Sequence, residues 1–401
     1  MDSNKKYVPE GVQDFLPQEC YNKRELESII RKRFFLSGYD EVETPDFEYY
    51  DVFASGIGSV RQEKMIKFID STGKILVLRP DITMPIARMA ATRLEKKDSP
   101  HRLFYIGNAY GYEPVHPMRQ RAFTQAGIEL LGVAGAGGDA EAIALAIEAL
   151  LDTGLGNFEI EIGQVEYFKG LMAEYGIPPE KADELRKHID RKNSLEAELF
   201  LSGCGMDEGI QQKLMKLPSL YGGPEILKEA EKLSQNDRCI RAITNIKAVY
   251  DLLCSYGYEQ YISIDLSMLQ DIDYYSGVIF RGITGDLGYP LLTGGRYDGL
   301  LGEFGTEMPA TGFAMGIKRV LIALERQKVL QSIPAPQAVV GCAKDAEARA
   351  YSAVQELRSQ GIRTEFDPSL DNVEALRDYA RSKRAGKWLF ISREETMEGK
   401  M

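Results

Sequence analysis

Ala122-Phe123-Thr124-Gln125-Ala126-Gly127-Ile128-Glu129-Leu130-Leu131 is a run of strand length in which Thr124, Gln125 and Glu129 interrupt the apolar residues. Gln125 and Glu129 share parity, so on a strand both point to one face. A strand buried on both sides of a parallel sheet would be continuously apolar. This one predicts an antiparallel sheet with a polar face. The same reading weighs against the segment that follows. Gly135-Ala136-Gly137-Gly138-Asp139-Ala140 fits the Gly-x-Gly-x-x-Ala dinucleotide pattern and opens a helix, with Glu159 about 20 residues on. After an alternating strand, a turn and an Asp139 helix cap account for the same residues. No Gly-x-x-x-x-Gly-Lys-Ser/Thr phosphate loop occurs.

Working outward, residues 20–37 predict an amphipathic helix stopped by Gly38. Residues 41–45 predict a short strand, and 64–69 and 74–78 a hairpin across Asp70-Ser71-Thr72-Gly73. Residues 83–94 predict a helix with Thr83 as its N-cap. Residues 103–106 and 109–112 predict two further strands, 139–151 a helix and 158–162 a strand. From 165 to 258 the chain is rich in Leu, Lys, Glu and Ala with almost no strand signal. Strands return at 261–265 and 274–283, followed by a Gly-rich turn and a helix over 315–327. After the linker Pro334-Ala335-Pro336 a β-α-β-α-β order predicts a small three-layer α/β domain. The expected division is a core in two parts, 1–164 and 259–330, a mainly helical insertion, 165–258, and a C-terminal α/β domain, 337–401.

Composition bounds the function. The chain has 401 residues, 44% hydrophobic and 27% charged, as expected of a soluble globular protein. No apolar run approaches the ~20 residues of a membrane span, and no apolar segment follows the N-terminal residues, so neither a span nor a signal peptide is expected. Five cysteines, none in a Cys-x-x-Cys clip, argue against a disulfide framework or structural zinc and for the cytoplasm. Sixty acidic against 49 basic residues give a net charge of −11, against the basic face of a nucleic-acid binder. His101, His116 and His188 have no ligand or triad spacing, and there is no Gly-x-Ser-x-Gly elbow. No metal and no cofactor is expected.

Polar residues nevertheless crowd segments that otherwise read as core. Arg79-Pro80-Asp81-Ile82-Thr83 joins a strand to a helix, Tyr274-Tyr275 begins an apolar strand, and Gly294-Gly295-Arg296-Tyr297-Asp298-Gly299-Leu300 carries an Arg-Tyr-Asp. Burying these groups without partners would cost several kcal/mol apiece. Two readings fit: a solvated sheet face, or a pocket for a small zwitterion.

Pro9-Glu10-Gly11-Val12-Gln13-Asp14-Phe15-Leu16-Pro17 resembles the opening of histidyl-tRNA synthetases. Arg79 to Thr83 is similar to their Arg-Pro-Glu-x-Thr, and Gln125 to Glu129 to their Gln-x-Gly-x-Glu strand. Ile272-Asp273-Tyr274-Tyr275 and Gly294 to Leu300 resemble the two histidine-specific motifs, and Gly312 to Arg319 the third class II signature. The resemblance spans roughly residues 7–327 with the motifs in order. It implies an α+β fold of the class II aminoacyl-tRNA synthetase kind, an antiparallel sheet flanked by helices with a helical insertion, usually dimeric. It also implies that Asp81, Thr83 and Gln125 hold an ammonium group, that Glu129 and Tyr275 bond an imidazole, and that Tyr297 lines the pocket. Arg119 and Arg319 become candidate ligand or anion contacts.

The departures bear on activity. Where a working synthetase has Phe-Arg-x-Glu, Tyr110-Gly111-Tyr112-Glu113 puts Gly111 at the arginine that clamps the ATP α-phosphate. Where it has Arg-Gly-Leu-Asp-Tyr-Tyr, the chain has Gln270-Asp271-Ile272-Asp273-Tyr274-Tyr275, with neutral Gln270 and an added acid. Losing one donor to developing charge typically costs about 100- to 1,000-fold in rate. Lys318 replaces a usual Glu, and the C-terminal domain is shorter than a full anticodon-binding domain. The pattern resembles the regulatory subunits of ATP phosphoribosyltransferase. That resemblance implies no aminoacylation and no tRNA, free L-histidine as ligand, a dimer with itself, and a hetero-octamer with the short-form catalytic subunit. A divergent histidyl-tRNA synthetase and a histidine sensor with another target are the alternatives.

Overall fold

The computed structural model describes residues 6–54, 62–94, 96–111, 121–190, 193–269 and 275–401. The chain divides into two compact units, Met1–Leu330 and Gln331–Met401. The first opens with helix α1 (Pro17–Leu36), strands β1 (Asp40–Glu41) and β2 (Phe47–Tyr49), and the short helix α2 (Asp51–Ala54). Strands β3 (Lys67–Ile69) and β4 (Ile75–Leu78) and helix α3 (Thr83–Arg93) lead to the long strands β5 (His101–Tyr110) and β6 (Ala122–Leu131). Helix α4 (Gly135–Asp152) and strand β7 (Glu159–Gln164) follow. Next come helices α5 (Val165–Glu174), α6 (Pro179–Asp190), α7 (Ser194–Gly203) and α8 (Glu208–Leu214), the two-residue strand β8 (Tyr221–Gly222), and helices α9 (Ile226–Leu233) and α10 (Asp237–Ser255). Strands β9 (Ile262–Asp265), β10 (Val278–Ile283), β11 (Leu292–Arg296) and β12 (Ala310–Gly316) and helix α11 (Ile317–Arg326) complete the unit.

One nine-stranded sheet carries this unit, in the order β1-β5-β6-β12-β11-β10-β7-β9-β8. The five neighbouring pairs from β5 to β7 are all antiparallel. Among the described residues of this sheet, parallel pairing occurs only where β1 meets β5 and β7 meets β9. The alternation in β6 sets its faces. Ala126, Ile128 and Leu130 are fully buried in the cluster that includes Ile30 and Phe34 of α1 and Ile143 and Ile147 of α4. Helix α4 is apolar on nearly every side, the pattern of a helix buried all round. Gln125, Gly127 and Glu129 are left for the other face.

Several local expectations are corrected. Strand β5 is continuous, where two strands were expected, because Gly107 in its middle leaves room for Arg79. A Cβ there would sit 2.8 Å from Arg79 Nη2. Arg79 is buried and donates to the carbonyls of Asn108, Thr44 and Pro45 and to the Thr44 hydroxyl, while pairing with Asp46 at 3.0 Å. It ties the chain before β2 to β5. The expected Gly-rich turn is divided: Gly294 to Arg296 belong to strand β11, placed between β10 and β12, and the turn itself covers Asp298 to Leu300. The 67–69 and 75–78 strands do form a hairpin, and β2, which was not expected, pairs with β4 as its third strand.

In the second unit, strands β13 (Ala338–Cys342), β14 (Thr364–Phe366), β15 (Lys387–Ile391) and β16 (Thr396–Lys400) form a sheet in the order β14-β13-β15-β16. Helices α12 (Glu347–Ser359) and α13 (Val373–Ser382) pack on opposite faces. Val340 and Cys342 join Ala350 and Val354 of α12, while Val339 and Trp388 join Leu376 and Ala380 of α13. Strand β16 was not anticipated, because Thr-Met-Glu-Gly-Lys has little apolar signal. It pairs antiparallel to β15 at the sheet edge.

Candidate functional site

Beneath the polar face of β6 lies a cavity of about 90 Å³. The structure brings Asp81, Thr83, Gln125, Glu129, Tyr275 and Tyr297 together around it. Its floor is backbone. Gly294 of β11 and Gly312 of β12 face it, and a Cβ on Gly294 would strike the Gly312 carbonyl and the Phe280 ring. A Cβ on Gly312 would strike the Ile128 carbonyl and the Glu129 carboxylate. Glycine is therefore required there by close approach of neighbouring strands, whatever occupies the cavity.

Glu129 is 2% exposed. Its Oε1 accepts from the Thr83 hydroxyl at 2.8 Å and its Oε2 from the Tyr297 hydroxyl. Burial pushes its carboxyl up to about 8, against the lowering effect of those two hydroxyls and with Asp81 adding a smaller upward push. Thr83 thus spends its hydroxyl on Glu129 and does not cap α3 as expected. The cap function falls to Asp81, whose Oδ1 accepts from the Met84 N–H at 3.0 Å. Gln125 Oε1 is buried with no hydrogen-bond partner among the described residues. Tyr275 is buried, and its carbonyl accepts from Lys169 Nζ at 3.1 Å.

Tyr105, which sequence reasoning missed, also lines the cavity. It pairs with Gly127 across β5 and β6, and its hydroxyl is buried with no hydrogen-bond partner among the described residues. Burial drives its pKa well up, with Glu129 and Asp81 adding to the effect and nearby Thr83 opposing it slightly. A tyrosine opposite a glycine is a signal only once the strand register is known.

The other sequence candidates sit elsewhere. Arg319, in the first turn of α11, donates to the Pro290 carbonyl at 2.8 Å and lies over the Tyr289 ring at 5.6 Å. It does not line the cavity. Gly111 is described, and a Cβ there would meet only Phe123, at 4.0 Å. Gln270 and Arg119 lie outside the described residues, as do Tyr112, Glu113 and Asp271 to Tyr274 of the expected motifs. Arg296 points away from the cavity's polar groups. It pairs with Asp139 at 2.9 Å and Asp298 at 3.0 Å and donates to the carbonyls of Val133 and Gly135. Asp139, expected to cap α4, is thereby a buried ion-pair partner, and the start of α4 is occupied by a guanidinium.

A wider cavity of about 400 Å³ opens beyond Tyr275, walled by Val165, Phe168, Met172 and Leu269. Its lining charges are already paired, Arg186 with Asp183 and Lys169 with Glu166 beside the cavity. It therefore lacks the convergence of polar atoms seen at Glu129. Among the described residues no three His, Cys, Asp or Glu side chains gather as a metal site, and no helix is long and apolar enough to cross a membrane.

A buried carboxyl, an amide oxygen with no partner among the described residues and a glycine floor can together receive a small polar molecule with donor groups at both ends. Comparison with known proteins gives the arrangement its family. A family model described as histidyl-tRNA synthetase matches residues 11–320. An ATP phosphoribosyltransferase regulatory subunit from Acetivibrio thermocellus is 45% identical over 394 residues, 98% of this chain and 94% of that one. The chain belongs to the family of ATP phosphoribosyltransferase regulatory subunits. Its class II synthetase-like fold is shared with a solved Bacillus halodurans protein described as an ATP phosphoribosyltransferase regulatory subunit/histidyl-tRNA synthetase. That structure has a TM-score of 0.87 and 30% identity over 98% of this chain and 99% of that one. Histidyl-tRNA synthetase from Nostoc sp. shares the fold at a TM-score of 0.82, with 21% identity over 98% of this chain and 96% of that one.

Proposed function

We propose that the chain is a non-catalytic subunit that holds free L-histidine beneath β6 and reports its concentration to a partner enzyme. The partner is the short-form ATP phosphoribosyltransferase catalytic subunit, in a hetero-octamer in which this chain also pairs with itself. In that assembly the chain activates the catalytic subunit and transmits feedback inhibition by histidine, in the cytoplasm and without tRNA. Residues 1–164 and 259–330 form the sensing core on this reading, 165–258 an insertion, and 337–401 a shortened anticodon-binding-like domain.

The observation that carries the reading is Glu129. A buried carboxyl is costly, and an imidazole offers it an N–H donor and a proton. Gln125, four residues along the same face, offers its free oxygen to an ammonium group, next to Asp81 and Thr83. Gly111 supports the absence of chemistry, since the position has space for a side chain and carries no cation.

The pH dependence of binding tests this contact. In the empty site the Glu129 carboxyl titrates at about 8, and a free imidazole at about 6.5. The complex holds one proton between carboxyl and ring, whichever group carries it. Below about 6.5 both free partners are protonated, so binding releases a proton and affinity rises about tenfold per pH unit. Between the two values proton number does not change and affinity is flat. Above about 8 binding takes up a proton and affinity falls. Titration calorimetry from pH 5 to 9 should show this plateau with two flanks. An affinity that climbs and stays level well above pH 8 would place Glu129 out of contact with the ligand.

A further inference from the structure

On the opposite face of the same strands lies a cavity of about 240 Å³, between the start of α1, the start of α11 and the ends of β5 and β6. Asn108 pairs with Thr124 and Tyr110 with Ala122 across those strands. Thr124 precedes Gln125, so it faces away from the cavity holding Glu129. The two cavities share a sheet and no lining residue.

Its walls combine aromatic rings with cations. Phe15, Tyr110 and Phe123 supply flat apolar surface, and Lys23, Arg24 and Lys318 supply positive charge. Lys23 and Arg24 both lean on the one buried carboxylate of Glu27. Lys318 is half-buried, has no carboxylate within ion-pair distance among the described residues, and donates to Gln13 Oε1 at 2.6 Å. Its burial depresses its pKa, and Glu19, which accepts from the Leu16 N–H, opposes that only in second place. Among the described residues, Lys23 and Arg24 thus share one close carboxylate and Lys318 has none, in a chain whose net charge is −11. An ammonium with free donors, drawn partly out of water, is stabilised by an anion brought into the same space.

We infer that this cavity is a second ligand site, separate from the one under β6, for a small planar molecule bearing an anionic group, with the ring between Phe15 and Tyr110 and the anion on Lys318. At about 240 Å³ the cavity lies just below the range of typical small-molecule pockets, which limits the occupant to about the size of a mononucleotide or less.

The full-length chain is titrated by calorimetry with three probes: adenosine monophosphate, 4-hydroxybenzoate and inorganic phosphate. At least one ring-bearing anion should bind, and phosphate alone should be weaker by about tenfold or more. Removing a charged hydrogen-bond donor with Lys318→Gln should weaken the ring-bearing anion by about tenfold or more, while histidine binding is retained. Cys20→Phe, at an exposed position of the cavity lining, adds bulk there while leaving Lys318 in place; it should weaken the ring-bearing anion likewise and guards against a misfolded Lys318 variant. Absence of binding by all three probes, phosphate as tight as the ring-bearing anions, or affinities unchanged in both variants would each overturn the site. Loss of histidine binding by the wild type bears on Glu129 and leaves this result independent.

Discussion

Histidine-dependent ATP–pyrophosphate exchange by the purified chain is expected at background. Adenylation builds negative charge on the ATP α-phosphate as the amino acid attacks, and the motifs that this chain resembles meet it with two arginines. Gly111 stands at one of those positions and Gln270 at the other. At about 100- to 1,000-fold per missing donor, the combined loss is about four to six orders of magnitude if the two act independently. Space is not what prevents an arginine at Gly111, because an added Cβ would have only Phe123 near it, at 4.0 Å. Gly111→Arg alone is therefore expected to fold and still to leave exchange at background, with Gln270 unchanged. Exchange at synthetase rates in the wild type would restore the enzyme reading and remove the regulatory one.

Glu129→Ala should separate histidine binding from folding. In the empty protein the change removes a buried carboxyl together with its bonds from Thr83 and Tyr297. Ionising that carboxyl is unfavourable in the fold, because its pKa is raised to about 8. Its contribution to stability is therefore fully present only below the ordinary carboxylate range, and is lost as pH rises through about 8. The variant should accordingly melt with a shallower pH dependence across that window. For the ligand, an imidazole donor is left unpaired, a cost of about 1 to 3 kcal/mol, so affinity should fall roughly 5- to 150-fold. Calorimetry on wild type and variant reads both. Equal affinities would mean that histidine, if bound, sits elsewhere.

Much of this architecture is written in local pattern. The alternation of β6 was enough to predict an antiparallel sheet and to discount the Gly135 segment as a dinucleotide loop. Motif order then pointed to the synthetase-like core, which the structure and the comparisons bear out. What could not be read depends on distances between segments remote in sequence. Gly107 looks like a strand break until Arg79 is seen against it, and Gly294-Gly295 looks like a turn until β10 and β12 flank it. Asp139 reads as a cap because Arg296, which claims it, is 157 positions away. Tyr105 was missed for the same reason, since its place in the cavity follows from its register with Gly127. The cationic cavity at Lys318 joins Gln13 to a residue 305 positions later, and no linear motif marks it.

The central claim is that histidine occupancy beneath β6 changes the activity of a partner. Such coupling requires histidine to bind two states of an assembly with different affinity, typically by about 1 to 3 kcal/mol. The direct measurement mixes this chain with a short-form ATP phosphoribosyltransferase catalytic subunit and follows elution volume and turnover of ATP with phosphoribosyl pyrophosphate, with and without histidine. The expected result is one co-eluting assembly, faster turnover than the catalytic chain alone, and inhibition by histidine that Glu129→Ala shifts to higher concentration. Separate elution, with turnover and histidine sensitivity unchanged by the added chain, would contradict it.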